Sequence, residues 1–310
     1  MRVHRTLLAG LFLAAALGAA AETATYHGTK TLTPKPGGTL KVEGSFQDIS
    51  VTLATGTSVE VTVDMKLSAW PQDSKEALKA YEPVYSEEGN TLLIRCRPQH
   101  QLSVGFFNSS GTIAIHMPPG MHLDLHTGSG DLEVRGDLGS CDLVGDTGSG
   151  DVRVEGGLRT LSAETGSGDI KAKLTAPATS AKIHTGSGDV NFSGGCARFD
   201  ASAGSGNITA DGLVGPGTFE TGSGDIQALW TRLADGTSVK AESGSGGIHL
   251  ALPANATLSG DLDTGSGDIR SDYPGTSSQK GRHWSFLGGP GASHLSVETG
   301  SGDIHVVKGS

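Results

Sequence analysis

Two stretches of this chain, Asp146-Thr147-Gly148-Ser149 and Asp263-Thr264-Gly265-Ser266, place an acid beside a Thr-Gly-Ser turn. Two such copies are what a paired-aspartate hydrolase needs, because its chemistry requires two carboxylates that share one proton. The same position elsewhere in the chain is held by His126, Glu164, His184, Ser202, Glu220, Glu242 and Glu298, the variety expected of an outward position on a repeated turn. A second group of carboxylates, Asp131, Asp151, Asp169, Asp189, Asp225, Asp268 and Asp303, ends seven copies of Gly-Ser-Gly-Asp. Stacked in register these would lie about 5 Å apart and repel by roughly 1 kcal/mol per pair in water, so something must offset them. Calcium is one means and the backbone amides of the Gly-Ser-Gly turn are the other. Asn207 and Gly247 stand where two further aspartates would be, and neither supplies the charge a calcium site wants, so amide capping is the stronger reading. A third group, Asp272, Tyr273, Arg282, His283, Trp284 and Phe286, gathers in an insertion near Gly288-Gly289-Pro290-Gly291; it reads first as a packed loop and second as a ligand contact.

The elements that carry these residues follow from the repeat. The tag begins at Gly128, Gly148, Gly166, Gly186, Gly204, Gly222, Gly244, Gly265 and Gly300, at spacings of 20, 18, 20, 18, 18, 22, 21 and 35 residues, which is a structural period with one insertion. After each tag comes one branched aliphatic residue, from Leu132 and Val152 to Ile269 and Ile304, and a period-2 alternation continues from it. Alternation also precedes each tag, as in Leu123 and Leu125 or Ala181 and Ile183, but in the opposite phase. One continuous strand cannot turn both sets toward one core, so the tag is a corner between two short strands. Units of about 20 residues bury their apolar face only by stacking, and this predicts an all-β fold: a parallel β-helix or β-solenoid of about nine coils. Ala-rich inner positions such as Ala163, Ala201 and Ala241 predict a narrow cross-section. Residues 22–118 lack the tag but alternate in strand fashion. They read as a β-rich N-terminal portion that covers the first sheet edge, with a degenerate coil at Gln47–Val51 and a short helix over 74–81 begun by Asp73 or Ser74. The last tag is followed only by a few residues and shows no comparable cap.

The N-terminus reads as a secretory leader over residues 1–21: Arg2 and Arg5, an apolar run from Leu7 to Ala16, then Ala19-Ala20-Ala21. Elsewhere no apolar run reaches membrane-spanning length. Loss of Arg2 and Arg5 takes the formal charge of −10 two units further negative, which argues against nucleic acid and anionic membranes as partners. Three cysteines, Cys96, Cys141 and Cys196, permit at most one disulfide; a bridge from Cys141 to Cys196 would cross more than two coils, beyond disulfide reach, so free thiols are expected.

The Thr-Gly-Ser-Gly-Asp-Ile core, the strand-rich leader portion, the Met117-Pro118-Pro119-Gly120 approach to the first tag and the late insertion resemble the bacterial putative-adhesin family of unknown function over about residues 38–307. The resemblance implies an exported β-solenoid and lends no catalytic residue. The resulting expectation is a signal peptide (1–21), a β-rich portion (22–118) and a repeat solenoid (119–310). Function is expected to be non-enzymatic, as an adhesin or cell-envelope scaffold in the periplasm or at the cell surface. No catalytic, cofactor or metal residue is assigned, and the partner stays open between a surface polysaccharide and an envelope protein. A carbohydrate-active β-helix enzyme and a calcium-stabilised rod are the alternatives.

Overall fold

The computed structural model describes residues 22–98 and 106–309; the leader read in residues 1–21 lies outside them. Each tagged coil contributes two strands. In the coil named for Gly166, Thr160–Thr165 precedes the tag and Ile170–Leu174 follows it. Leu161, Ala163 and Thr165 point inward from the first strand, Ile170, Ala172 and Leu174 from the second, and the tag makes the change of phase by turning the chain from one sheet to the other. Strands before the tag build a 14-stranded sheet and strands after it a 13-stranded sheet. The two inner faces share one core, seen directly where Phe192 of the after-tag sheet meets Phe199 of the before-tag sheet at 4.8 Å between ring centroids.

Neighbouring tagged coils pair in parallel and in register, so like residues form columns. Leu132, Val152, Ile170, Val190, Ile208, Ile226 and Ile248 lie side by side through successive pairings. Parallel strands buried on one face favour β-branched residues, and this column is made almost wholly of them. The protein is therefore an all-β solenoid with two strands per coil. The small inner residues Ala163, Ala201 and Ala241 are buried as expected, but the middle of the stack also takes large ones. There Phe192, Phe199, Phe219 and Trp230 form a chain of ring contacts, and the buried Trp230 Nε1–H donates to Gly215 O at 2.9 Å.

Spatial order departs from chain order at the C-terminal end. Val239 pairs with Leu295 and Leu295 with Gly260, while Ile248 pairs with Ile304 and Ile304 with Ile269. The Gly300 coil thus lies between the Gly244 and Gly265 coils. The insertion explains the exchange: Gly275–Ser278 and His283–Leu287 form a hairpin that pairs antiparallel with the far side of Leu258–Thr264. That side is then occupied, and the last coil enters on the other. The expectation that this end lacks a cover is thereby corrected, and the last two coils stack out of chain order.

At the other end Thr39–Glu43 and Asp48–Leu53 form the expected degenerate coil against the Gly128 coil. Phe106–Met117 lies beside Asp48–Leu53, and Val59–Trp70 and Thr23–Leu32 extend the same sheet antiparallel. On the before-tag sheet Thr91–Arg95 and Val84–Glu88 come last. The short helix Ser74–Lys79 starts at Asp73, whose Oδ1 accepts from the N–H groups of Lys75 and Glu76 at 2.9 and 3.0 Å.

Candidate functional site

The corner is the most repeated polar feature of the molecule, and its side chains turn toward neighbouring coils. The N–H of Asp131 donates to Asp48 Oδ1, that of Asp151 to Asp131 Oδ1, and the pattern runs through Asp169, Asp189, Asn207 and Asp225 to the N–H of Gly247, at 2.7–2.9 Å throughout. It resumes where Asp268 N–H donates to Asp303 Oδ1 at 2.9 Å. The carboxylates of Asp48, Asp131, Asp151, Asp169, Asp189, Asp225 and Asp303 therefore each cap an amide of a neighbouring coil, and Asn207 does so with its amide oxygen. Arg153 adds charge compensation, reaching Asp131 Oδ2 at 3.3 Å and Asp151 Oδ2 at 2.6 Å.

A second ladder, which the sequence shows only as a recurring Thr before the tag, runs beneath the first. Thr147 Oγ1 donates to Gly130 O, Thr165 to Gly150 O and Thr185 to Gly168 O, all at 2.8–2.9 Å and buried. Ser243 does the same toward Gly224 O at 2.9 Å; Ala203 cannot. The glycines serve close approach. A Cβ on Gly168 would fall 2.0 Å from Gly150 O and one on Gly166 2.4 Å from Gly148 O, and neither residue needs positive φ. At these two positions close backbone approach, and not left-handed backbone, is what requires glycine.

The two Asp-Thr-Gly-Ser copies do not meet. Asp146 and Asp263 lie seven strand steps apart in the before-tag sheet, roughly 34 Å at the usual spacing of about 4.8 Å, so no dyad forms. Asp263 instead pairs with the insertion. His283 Nδ1 lies 2.7 Å from Asp263 Oδ1, His283 Nε2 lies 3.0 Å from Ser285 Oγ, and Ser285 Oγ donates to Asp261 Oδ1 at 2.5 Å. A serine, a histidine and an aspartate are thus connected in the order of a nucleophile, its base and an orienting acid. Ser285, however, sits in the middle strand of the hairpin sheet, paired to Asp261 on one side and Thr276 on the other. Its hydroxyl proton is directed at Asp261, and a sheet interior offers no spare N–H groups to stabilise an oxyanion. The network is a clasp that fastens the hairpin to Leu258–Thr264.

The other insertion residues pack as well. Tyr273 is buried, its hydroxyl within reach of Leu252 O and Pro253 O at 2.8 and 2.9 Å, and desolvation pushes its pKa up to about 12. Asp272 Oδ2 accepts from Lys308 N–H at 3.1 Å, Phe286 is buried, and Trp284 lies edge-on to it. Arg282 contributes its backbone carbonyl, which accepts from Thr264 N–H at 3.0 Å. The cysteines are free and buried, and burial raises all three thiols, Cys96 to about 12.

What the stack turns outward is a set of in-register columns. On the before-tag sheet Glu220, Glu242, Glu298 and Asp263 are successive cross-strand neighbours. Lys240 spans the first two at 3.1 and 2.9 Å, and an open depression of 660 Å³ runs along this column beside Gly204, Gly222 and Gly244. Near the opposite end of that sheet lies a mixed network in which Glu43 meets Arg95 and Arg97 at 2.8 and 3.0 Å and Lys41 meets Asp124 at 2.8 Å. Despite the opposing effect of partial burial, these cations hold the Glu43 and Asp124 carboxyls below their ordinary range; His126 also contributes at Asp124.

Among curated proteins none matches the chain. Of the solved structures, a "putative adhesin" from Parabacteroides merdae is 12% identical over 91% of this chain and 96% of its own, with a TM-score of 0.43. One from Bacteroides fragilis is 15% identical over 91% and 97%, with a TM-score of 0.42. A "putative lipid binding protein" from Parabacteroides distasonis is 14% identical over 91% and 97%, with a TM-score of 0.32. The family assignment rests on the sequence itself: with residues 39–307 matched by its model, from the degenerate first coil to the last tagged one, the chain belongs to the Toastrack DUF4097 family.

Proposed function

We propose that this protein is an exported, non-enzymatic β-solenoid that presents a repetitive outer face for adhesion or cell-envelope scaffolding. The observation that carries the reading is the use of the tag: its Thr and Asp side chains serve contacts between coils, and its glycines make the space for them. The most repeated sequence in the chain therefore builds a rod and leaves the outward columns as the variable, presenting surface. Export rests on the leader sequence in residues 1–21. The column Glu220, Glu242, Glu298 and Asp263, with its long shallow depression, is the face best suited to a partner with repeated hydroxyl or cationic groups.

The test is retention of the purified protein on a panel of envelope and extracellular polysaccharides, with reducing ends assayed in the same wells. Retention without new ends is expected. It should weaken when Glu220, Glu242 and Glu298 are together replaced by Gln. Release of new ends overturns the non-enzymatic reading, and absence of both signals removes polysaccharide in favour of an envelope protein.

A further inference from the structure

The two sheets end in four free edges, and three of them are blunted. Ile269–Ser271 is three residues long, Gly275–Ser278 is four, and Val84–Glu88 ends in the carboxylates of Glu87 and Glu88. Short strands and edge charges are the usual means by which a sheet refuses a further strand. The fourth edge, Thr23–Leu32, is ten residues long and is paired on one side alone, with Val59–Trp70. It contains no proline, and Lys30 is its one Lys, Arg, Asp or Glu. It also stands clear of its surroundings. Beyond the degenerate coil the after-tag sheet continues for three strands and the before-tag sheet for two, so Thr23–Leu32 overhangs by one strand.

The sequence of this edge is complementary to itself. Thr23, Thr25, His27, Thr29 and Thr31 are exposed on the outer face, while Ala24 is buried and Tyr26, Gly28 and Leu32 are half-buried on the inner one. Tyr26 lies across Gly28, where a Cβ would fall 2.5 Å from its hydroxyl, so the glycine leaves no gap in the strand. An antiparallel mate related by a two-fold axis through Gly28 sets Thr25 against Thr31 and His27 against Thr29 on the outer face. On the inner face it sets Tyr26 against Lys30 and Ala24 against Leu32. Hydroxyls then meet hydroxyls, the Lys30 stem lies along a tyrosine, alanine meets leucine, and no like charges face each other. The helix Ser74–Lys79 fits the same arrangement. It packs near the start of the strand, with Ser74 Oγ accepting from Ala69 N–H at 2.9 Å and Lys75 Nζ 3.7 Å from Glu22 Oε1. The two-fold axis therefore carries the two helices to opposite ends of the joined edge.

We propose that Thr23–Leu32 pairs with the same strand of a second copy in this antiparallel register, giving a two-fold dimer whose after-tag sheet runs from one molecule into the other. Complementarity of one patch to itself about a two-fold axis is what an isologous dimer requires, and it selects a second copy over an unrelated strand. The rods join at their N-terminal ends, which leaves the Glu220, Glu242, Glu298 and Asp263 column of each copy open.

The test is sedimentation velocity of the purified full chain over a series of concentrations, in which a concentration-dependent dimer is expected. Thr25→Glu with Thr31→Glu sets like charges against each other in both halves of the pair and should weaken the dimer at least tenfold. Thr25→Glu with Thr31→Lys sets opposite charges there and should restore it. Ser86→Glu, on the free edge of the other sheet, should leave it unchanged. All three positions are exposed, and an unaltered melting midpoint at high dilution separates loss of pairing from loss of fold. Mild oxidation reads the register independently. Thr25→Cys mixed with Thr31→Cys should give a mixed disulfide, since facing residues lie about 4.5–5.5 Å apart, whereas each variant alone should not, its two copies being about 20 Å apart. A chain that stays monomeric throughout leaves this edge to another protein's strand and overturns the proposal. So does a dimer that survives the paired glutamates, one that Ser86→Glu weakens, or a Thr25→Cys protein that cross-links to itself.

Discussion

The Gly166 and Gly244 coils carry the same two strands and the same three opening tag residues, yet one is capped by a carboxylate and the other is not. Gly168 and Gly246 both press against the glycine carbonyl of the coil below, where an added Cβ would lie 2.0 Å away in each case. Thr165 and Ser243 both donate to that layer of carbonyls. Only the fourth tag residue differs. The contrast ranks the parts of the corner: close backbone approach is required, the buried hydroxyl tolerates Thr, Ser and once Ala, and the outer carboxylate can be absent altogether.

The largest effect should therefore come from filling a close approach. Gly224→Val puts a branched side chain where even a Cβ lies 2.1 Å from Gly206 O, backbone that cannot move without shifting a whole coil. Loss of more than about 4 kcal/mol of stability, or failure to fold, is expected in denaturant melts. Gly289→Ala in the hairpin loop, where a Cβ meets nothing within 4 Å, should be nearly silent. A well-folded Gly224→Val protein would break the ranking at its top.

Removing a buried hydroxyl ranks second. Thr185→Val keeps the volume but leaves Gly168 O without its donor, and a cost of about 1–2 kcal/mol is expected. The reverse change is available at the one tagged coil that lacks the hydroxyl, since Ala203 occupies the Thr position in register with Thr185 and Thr221. Ala203→Thr should gain up to about 1 kcal/mol if it reaches Gly188 O. Equal and opposite shifts at the two sites would sharpen the assignment of this ladder; a loss at both would show that the Ala203 coil is packed too tightly to accept it.

Third comes the optional carboxylate. Gly247→Asn should extend the ladder to Asp303 N–H as Asn207 does for Asp225, raising stability by about 0.5–1 kcal/mol through the added hydrogen bond and the stiffer unfolded chain. No gain would mean that the amide above Gly247 is already well served by solvent.

The ranking also explains what was legible in sequence. The corner, the two phases, the parallel columns and the degenerate coil at Gln47–Val51 follow from period-2 patterning and a repeated tag, because each is a local consequence of burying one face. The Asp ladder was readable in kind, since Asn207 retains the acceptor and loses the charge. The role of the preceding Thr could have been found from its recurrence at Thr127, Thr147, Thr165, Thr185, Thr221, Thr264 and Thr299, an unusual constancy for an inward polar residue. The exchange of the last two coils was not legible. It depends on which side of Leu258–Thr264 the hairpin occupies, a tertiary choice that leaves both repeats unchanged in pattern. The pairing of His249 with His305, 56 residues apart, and the Asp261, Asp263, His283 and Ser285 clasp are both products of that choice.

The smallest effect tests whether charge between coils matters as the backbone does. Arg159 holds Asp142 across neighbouring coils through Nε to Oδ1 at 2.9 Å and Nη2 to Oδ2 at 2.5 Å, and Thr160 Oγ1 adds a bond at 2.7 Å. The guanidinium bonds, with Thr160 assisting, lower the Asp142 pKa to about 2. A carboxyl whose folded pKa lies below its unfolded value adds stability above the unfolded pKa and loses it as pH falls through the folded one. Asp142→Asn should thus be the less stable protein from neutral pH down to about 4, with the gap closing as pH approaches about 2. Because both partners are partly solvated, the gap should stay below about 1 kcal/mol and shrink further in high salt. A larger, salt-insensitive difference would place surface ion pairs beside the glycine contacts as a main force holding the coils together, and the ranking drawn from the Gly166 and Gly244 coils would fail.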